Sequence, residues 1–491
     1  MASKTPNIVW YCTDQQRFDT IGRLGNPYVH TPRIDQFMQE ATVFTHAFVQ
    51  CPICTPSRSS FLTGMHPSFL RANRNGNARF TDGADQRLIT RILAEAGYDC
   101  GLTGKLHLAG AAEGPEPRAD DGYRFFEYSH APRRDYTNHT DYYQWIARQG
   151  GDPDVVLQRL DDEKFPRPPE DMYQGGLYEP TPDFDNAPPE YHQTTWCTEM
   201  AIDFIGEAEE SGKPWLISLN PFDPHPPHDA PWEFYRRFDP NTLPEPVFAE
   251  SDIAHQNKLA AAGIDFQSQS MPPEHWQFPG VKASYYAMIE LIDEQFGRLL
   301  DFLEANDLRD NTIVIFTSDH GEMLGDHGLV LKGCRFYDPL VRVPLMISWP
   351  GHFEAGVISE ALVEAVDIAP TLAEAVGLAM AEDTHGRSLL PILTGEAPLD
   401  EHRDFVRSEY HDAVEGDDES SASMYRDRRW KLVVYHGNEI GELYDLEADP
   451  TESHDLWDDP THLAIKAELL QRSYDASIAV LDLGPDRIMM A

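Results

Sequence analysis

Thr312-Ile313-Val314-Ile315-Phe316 runs straight into Thr317-Ser318-Asp319-His320. Ile313 to Phe316 carries no polar side chain, so the segment reads as a strand covered on both faces, the kind that parallel sheets contain. The same pattern recurs upstream. Asn7-Ile8-Val9-Trp10-Tyr11 ends in Cys12-Thr13-Asp14-Gln15, Cys100 to Thr103 ends in Gly104-Lys105-Leu106-His107, and Trp215 to Leu219 ends in Asn220-Pro221-Phe222-Asp223-Pro224-His225. Helical patterns lie between the runs. Arg87 to Ala96 stops at Gly97, and Ser284 to Asn306 carries Met288, Ile292, Phe296, Leu299 and Leu303 on one face. The alternation predicts an α/β domain with a largely parallel sheet. In such sheets ligands bind just beyond the carboxyl ends of the strands, where these four polar clusters would meet.

Beyond about Gly395 to Asp400 the pattern changes. Strand candidates at Phe405–Glu409, Ser423–Arg426 and Trp430–Tyr435, followed by a helix near His462–Ala476, predict a small antiparallel α+β unit. We therefore expect a catalytic domain over residues 1–397 and a second domain over 398–491. The stretch Ala111–Pro189 is rich in Pro, Gly, Asp and Tyr with weak periodicity, and reads as a long insertion near a substrate entrance. Within it, Tyr142, Tyr143, Trp145 and Tyr173 could stack on a ring but read first as packing residues.

The 491 residues include 39 Lys and Arg against 82 Asp and Glu, a net charge of −43. That field repels nucleic-acid phosphates and anionic membranes, so neither is an expected partner. No apolar run reaches the roughly 20 residues of a bilayer span, and Asn7 to Tyr11 is too short for a signal-peptide core, which predicts a cytoplasmic protein. Six cysteines (Cys12, Cys51, Cys54, Cys100, Cys197, Cys334) are too sparse for a disulfide framework. If one matters, it matters chemically. A homo-oligomer is left open.

The most specific signal is Cys54-Thr55-Pro56-Ser57-Arg58, continuing to Leu62-Thr63-Gly64. It resembles the type I sulfatase signature, in which the Cys of a Cys-x-Pro-x-Arg pentad is oxidised to formylglycine by a dedicated generating enzyme. Asp14 and Gln15, Gly104-Lys105-Leu106-His107, Pro224-His225-Pro226, Asp319-His320-Gly321-Glu322 and Lys332 follow in the order of that family. Glu442-Leu443-Tyr444-Asp445-Leu446, with Asp449-Pro450 and Glu452, resembles its C-terminal signature. Alone, a strand-end carboxylate is commonly a helix cap and a lone His a packed or solvated one. The matching contexts give them other roles.

The resemblance implies an alkaline-phosphatase-like fold, a large mixed sheet flanked by helices with a smaller C-terminal unit of antiparallel strands plus helix. It also implies the chemistry. A hydrated aldehyde at position 54 offers one hydroxyl to attack sulfur and a second whose deprotonation expels sulfate from the covalent intermediate. Asp14, Gln15, Asp319 and His320, with residue 54, would hold one divalent cation. Arg58 would hold the formylglycine, Lys105 and Lys332 would neutralise sulfate oxygens, His107 would be the base for elimination, and His225 would donate to the leaving-group oxygen. The substrate would be a small anionic ester, an aryl, alkyl or sugar sulfate.

Two positions depart from the common pattern. Most sulfatases have Asp-Asp and Asp-Asn where this chain has Asp14-Gln15 and Asp319-His320. The donor set then carries −2 rather than −3, and an imidazole suits Mn²⁺ or Zn²⁺ better than the Ca²⁺ usual in sulfatases. Gln15, His320 and Arg74-Asn75-Gly76 resemble the phosphonate monoester hydrolase and phosphodiesterase branch, whereas the Lys105 and His107 loop has the sulfatase form. A sulfate ester is the first expectation and a phosphonate monoester or phosphodiester the second.

Overall fold

The computed structural model describes residues 5–76, 80, 87–111, 115–130, 141–156, 187–228, 230–273, 278–414 and 419–481. Tyr173, and most of the expected insertion between 131 and 186, lie outside the described residues. Eight strands form the large sheet: β1 (Asn7–Thr13), β2 (Thr42–Phe48), β3 (Asp99–Gly104), β4 (Phe125–Tyr128), β5 (Trp215–Asn220), β6 (Thr312–Ser318), β7 (Arg342–Ser348) and β8 (Val357–Glu364). Their order is β4-β3-β5-β1-β6-β7-β2-β8. All neighbours pair in parallel except those of β7, which is antiparallel to both β6 and β2. The sheet is therefore mixed, with one reversed strand.

Alternation along the central strands builds two cores. Ile8, Trp10, Cys12, Ile313 and Ile315 pack on one face, and Val9, Tyr11, Val314 and Phe316 on the other. The second face is covered by the Gln193–Ser211 helix and by the Phe278–Ala305 helix, whose Met288, Ile292, Phe296, Leu299 and Leu303 are all buried. That helix begins six residues before its expected start. The first face is covered by the Ile89–Glu95, Ile368–Ala375 and Cys54–Thr63 helices.

A second sheet, β9 (Val406–His411), β10 (Ser421–Arg426), β11 (Trp430–Tyr435) and β12 (Ile440–Asp445), is antiparallel throughout in the order β12-β11-β10-β9. Its Tyr425, Leu432 and Leu443 pack with Leu469 and Ala476 of the Leu463–Ala479 helix. The opposite face contributes Met424, Val433 and Tyr435 to the first core of the large sheet. The two sheets thus share buried apolar surface. No helix among the described residues is long and apolar enough to cross a membrane.

Candidate active site

The register of β1 against β6 pairs Thr13 with Ser318, so both strands deliver a carboxylate at the same level. The amide of Asp319 donates to Thr13 O at 3.2 Å, and that of Gln15 to Asp319 Oδ1 at 3.0 Å. On the other flank, Gly104 at the end of β3 meets Asn220 at the end of β5, and Lys105 N donates to Asn220 O at 2.9 Å. A Cβ on Gly104 would lie 2.0 Å from Asn220 O, and its φ is +96°, so only glycine lets the two strand ends close up there.

Cys54 is the first residue of the Cys54–Thr63 helix, all of whose residues are buried. Its Sγ lies 2.9 Å from Lys332 Nζ, 3.1 Å from His320 Nε2, 3.7 Å from Lys105 Nζ and 3.9 Å from Asp14 Oδ1. One turn on, Arg58 Nε donates to Asp319 Oδ2 at 2.8 Å, and its Nη atoms reach Lys105 O and Asp14 Oδ2. Lys105 Nζ donates to Asp14 Oδ2 at 2.5 Å, and Lys332 Nζ to Gln15 Oε1 at 2.9 Å. Arg58, Lys105 and Lys332 are buried with Asp14 and Asp319, so three cations face two carboxylates and the pocket is locally positive inside a strongly acidic chain. A buried, electropositive pocket of this kind favours an anionic ester.

These charges set the titration of the site. Burial alone would raise the Asp14 carboxyl, but Lys105, with Arg58 and Lys332, holds it well below the usual carboxylate range. Burial and Asp14 push the Cys54 thiol up, whereas Lys105, Lys332 and His320 pull it down further, to about 7. Burial, with Lys105 and His130 adjacent, holds the His107 imidazole well below its ordinary value. Burial and Lys332 do the same at His225. Both rings are therefore neutral near pH 7.

Asp14, Cys54, Asp319 and His320 present ligand atoms that all lie within 4.8 Å of one another, every residue buried. His320 Nδ1 donates to Gly321 O at 2.9 Å, which leaves the Nε2 lone pair facing the cluster. Two carboxylates, an imidazole nitrogen and the Gln15 carbonyl make a donor set suited to a divalent cation. The residues present fit the ion that the motifs imply.

All the expected site residues in the Cys54 group converge. His107 stands at the rim of the same loop as Lys105, with φ +57° and its ring 4.5 Å from that of His130. His107 Nδ1 is buried without a partner among the described residues. His225 Nδ1 donates to Pro226 O at 2.6 Å. Two residues outside the expected set also matter. The buried Glu116 accepts the backbone amides of His107 at 2.7 Å and Leu108 at 2.9 Å, and Glu322 accepts from the Gln15 side chain. Glu116 carried no sequence signal, because it sits in a Pro-Gly stretch; Glu322 was visible only as the tail of Asp319-His320-Gly321-Glu322. Asn75 Oδ1 accepts the Thr55 amide at 3.3 Å beside the start of the Cys54–Thr63 helix. Tyr142 and Trp145 are buried residues of the second core.

A family model described as Sulfatase matches residues 6–378, and one described as N-sulphoglucosamine sulphohydrolase, C-terminal, matches residues 325–477. A multifunctional alkaline phosphatase superfamily protein of Trinickia caryophylli is 28% identical over 95% of this chain and 94% of its own. An arylsulfatase of Clostridium perfringens is 28% identical over 92% and 90%. The crystal structure of a phosphonate monoester hydrolase of Agrobacterium radiobacter superposes with a TM-score of 0.79 at 26% identity, covering 97% of this chain and 96% of that one.

Proposed function

The chain belongs to the sulfatase family and is a sulfuric ester hydrolase, and from that premise we propose that it cleaves a sulfate monoester with a formylglycine made from Cys54 and one divalent cation. The observation that carries this reading is the placement of Cys54 Sγ within 4 Å of Lys332, His320, Lys105 and Asp14 in a buried, net-positive pocket. The ion, held by Asp14, Gln15, Asp319 and His320, would acidify a bound hydroxyl and polarise an ester oxygen, while the aldehyde hydrate would supply a hydroxyl for attack and a second for release.

The chain's own residues do the rest. Arg58 spans both carboxylates and fixes the helix turn that bears residue 54. Lys105 and Lys332 each contact both Cys54 Sγ and a metal-site side chain, so an incoming sulfate group meets two ammonium groups as it arrives. To neutral His107, whose Nδ1 has no partner among the described residues, we assign the uptake of the proton that triggers release. His225 has its Nδ1 proton committed to Pro226 O, so donation to the leaving oxygen requires a proton on Nε2, which a bound anionic ester favours. Aryl, alkyl and sugar sulfates all satisfy this chemistry.

Gln15 and His320, together with the similarity to a phosphonate monoester hydrolase, favour a second substrate class at the same site, phosphonate monoesters and phosphodiesters. One experiment tests both readings. Protein made with a formylglycine-generating enzyme is digested with trypsin and the Ile34–Arg58 peptide weighed, then kcat/KM is measured for sulfate, phosphonate and phosphodiester forms of one aryl alcohol. Aldehyde at position 54 with the sulfate ester preferred supports the first reading; a preferred phosphonate or diester moves the assignment to the second. Thiol alone, with the generating enzyme active on a control, overturns both.

A further inference from the structure

Gln15 occupies an unusual setting. Its backbone has φ +69°, its amide donates to Asp319 Oδ1 and its carbonyl accepts from Tyr285 OH at 2.6 Å. Its side-chain amide lies between two charges of opposite sign. Lys332 Nζ donates to Oε1 at 2.9 Å, and Nε2 donates to Glu322 Oε2. Turning the amide over would set its oxygen against a carboxylate and its NH₂ against an ammonium, so the arrangement has one sense. Glu322 is itself held, because Oε1 accepts the amides of Leu324 at 3.1 Å and of Leu331. Arg17 ties the same loop through Glu322 O at 3.1 Å and Met323 O at 2.9 Å. Both Glu322 and Gln15 are buried.

Resting on the reading of this pocket as a cation site, we propose that Glu322 is a positioning residue that makes position 15 a neutral oxygen donor and thereby sets which divalent cation the site prefers. A carboxylate at position 15 would set oxygen against oxygen where the amide NH₂ now donates to Glu322, two negative groups with no hydrogen to share. An amide removes the conflict. Its nitrogen satisfies Glu322 and its oxygen accepts from Lys332, whose ammonium also contacts Cys54 Sγ and His320 Nε2. The donor set is then one negative charge poorer than with an acid at position 15, which weakens the hold on a hard, oxygen-seeking ion such as Ca²⁺ relative to Mn²⁺.

The geometry supplies its own test, because Gln and Glu are isosteric and the pair can be exchanged. In Glu322→Gln, two NH₂ groups meet unless Gln15 turns over, and turning it over removes the oxygen from the cation site. In Gln15→Glu, two carboxylates meet. In the double variant, the new amide oxygen at position 322 again accepts Leu324 and Leu331 while its NH₂ donates to the new carboxylate at position 15, whose other oxygen faces the cation site. Calorimetric titration of the four metal-free full-length proteins with MnCl₂ and with CaCl₂ reads the effect without turnover. We expect each single variant to lose about tenfold to a hundredfold in Mn²⁺ affinity, and the double variant to recover most of it with its preference for Ca²⁺ over Mn²⁺ raised about tenfold. Unchanged Mn²⁺ affinity in Glu322→Gln, additive losses in the double variant, or a double variant that does not fold overturns the proposal. If the wild-type chain binds neither ion, the metal reading fails by itself, and the same non-additivity is then sought in the melting temperatures of the four proteins.

Discussion

The Lys431 ammonium of β11 lies 2.5 Å from Asp338 Oδ1 and also pairs with Glu452, all three side chains withdrawn from solvent. Asp338 opens the turn that leads from Lys332 into β7, and Glu452 Oε2 accepts its backbone amide at 2.7 Å. The second sheet therefore grips the segment that supplies one of the pocket's cations. Replacing Lys431 with Met leaves Glu452 without its ammonium and Asp338 with only the longer pairings to Arg342 and Arg426 at 3.5 Å, and we expect a loss of about 3 kcal/mol, read as a lower midpoint in urea denaturation. A stability within about 1 kcal/mol of wild type would mean that the pairing contributes little.

Gly104→Ala should be more damaging than its size suggests. The added Cβ meets Asn220 O at 2.0 Å at a φ of +96°. The β3 and β5 ends must separate, and Lys105 moves with them. Activity should fall by at least about a hundredfold, whereas Gly212→Ala, also at positive φ but with open space around it, should cost only about 1 kcal/mol of stability. Equal effects at the two positions would show that the close approach is dispensable.

Cys54→Ser removes the thiol on which the generating enzyme acts. A single hydroxyl has no second group to drive release of the transferred sulfate. Multiple turnover should drop by about three orders of magnitude or more, as when an essential nucleophile is removed from other hydrolases. Steady turnover at the wild-type rate would exclude formylglycine chemistry at this position.

Asp293, on the Phe278–Ala305 helix, accepts the amides of Arg33 and Ile34, yet burial pushes its carboxyl up to about 7. The folded state therefore holds this proton up to a higher pH than the unfolded chain does. Between the ordinary carboxylate range and about 7 the folded form binds more protons, and stability falls as pH rises through that window. Asp293→Asn keeps the acceptor oxygen and removes the titration. It should match wild type near pH 4 and exceed it by about 1 kcal/mol or more near pH 8, measured by thermal melting across pH. A constant difference at all pH values would remove Asp293 as the source.

Legibility of the chain followed burial. β1, β5 and β6 were plain in the sequence because both of their faces are covered, which leaves runs of apolar residues, and their polar ends marked the site. β2, β7 and β8 lacked that mark. The pairings of β2 shift register near Thr45, β7 contains Pro344, and β8 alternates exposed Ile358 and Glu360 with buried partners. The Cys54–Thr63 helix was illegible as a helix, since a Pro and five Ser or Thr residues hide an element that is buried all round. Lys105 and Asp319 stand in the strand-end clusters, whereas Cys54 and Lys332 are legible only by motif, because they lie off the strand ends and join the cluster only in three dimensions. Glu116 and Glu322 act through backbone amides and another side chain, a role with no local signature.

The reversed direction of β7 has an evolutionary consequence. A parallel successor to β6 would need a crossover back to the far edge of the sheet, but an antiparallel one starts where β6 stops, so residues 319–341 stay wholly on the ligand-binding edge. Asp319, His320, Glu322 and Lys332 are thus carried by one loop anchored at both ends in the sheet. Between Leu324 and Leu331 that loop is buried and held by the pairing of Asp326 with Arg17 and of His327 with Asp252, so its shape is inherited from the body of the domain together with the reactive centre.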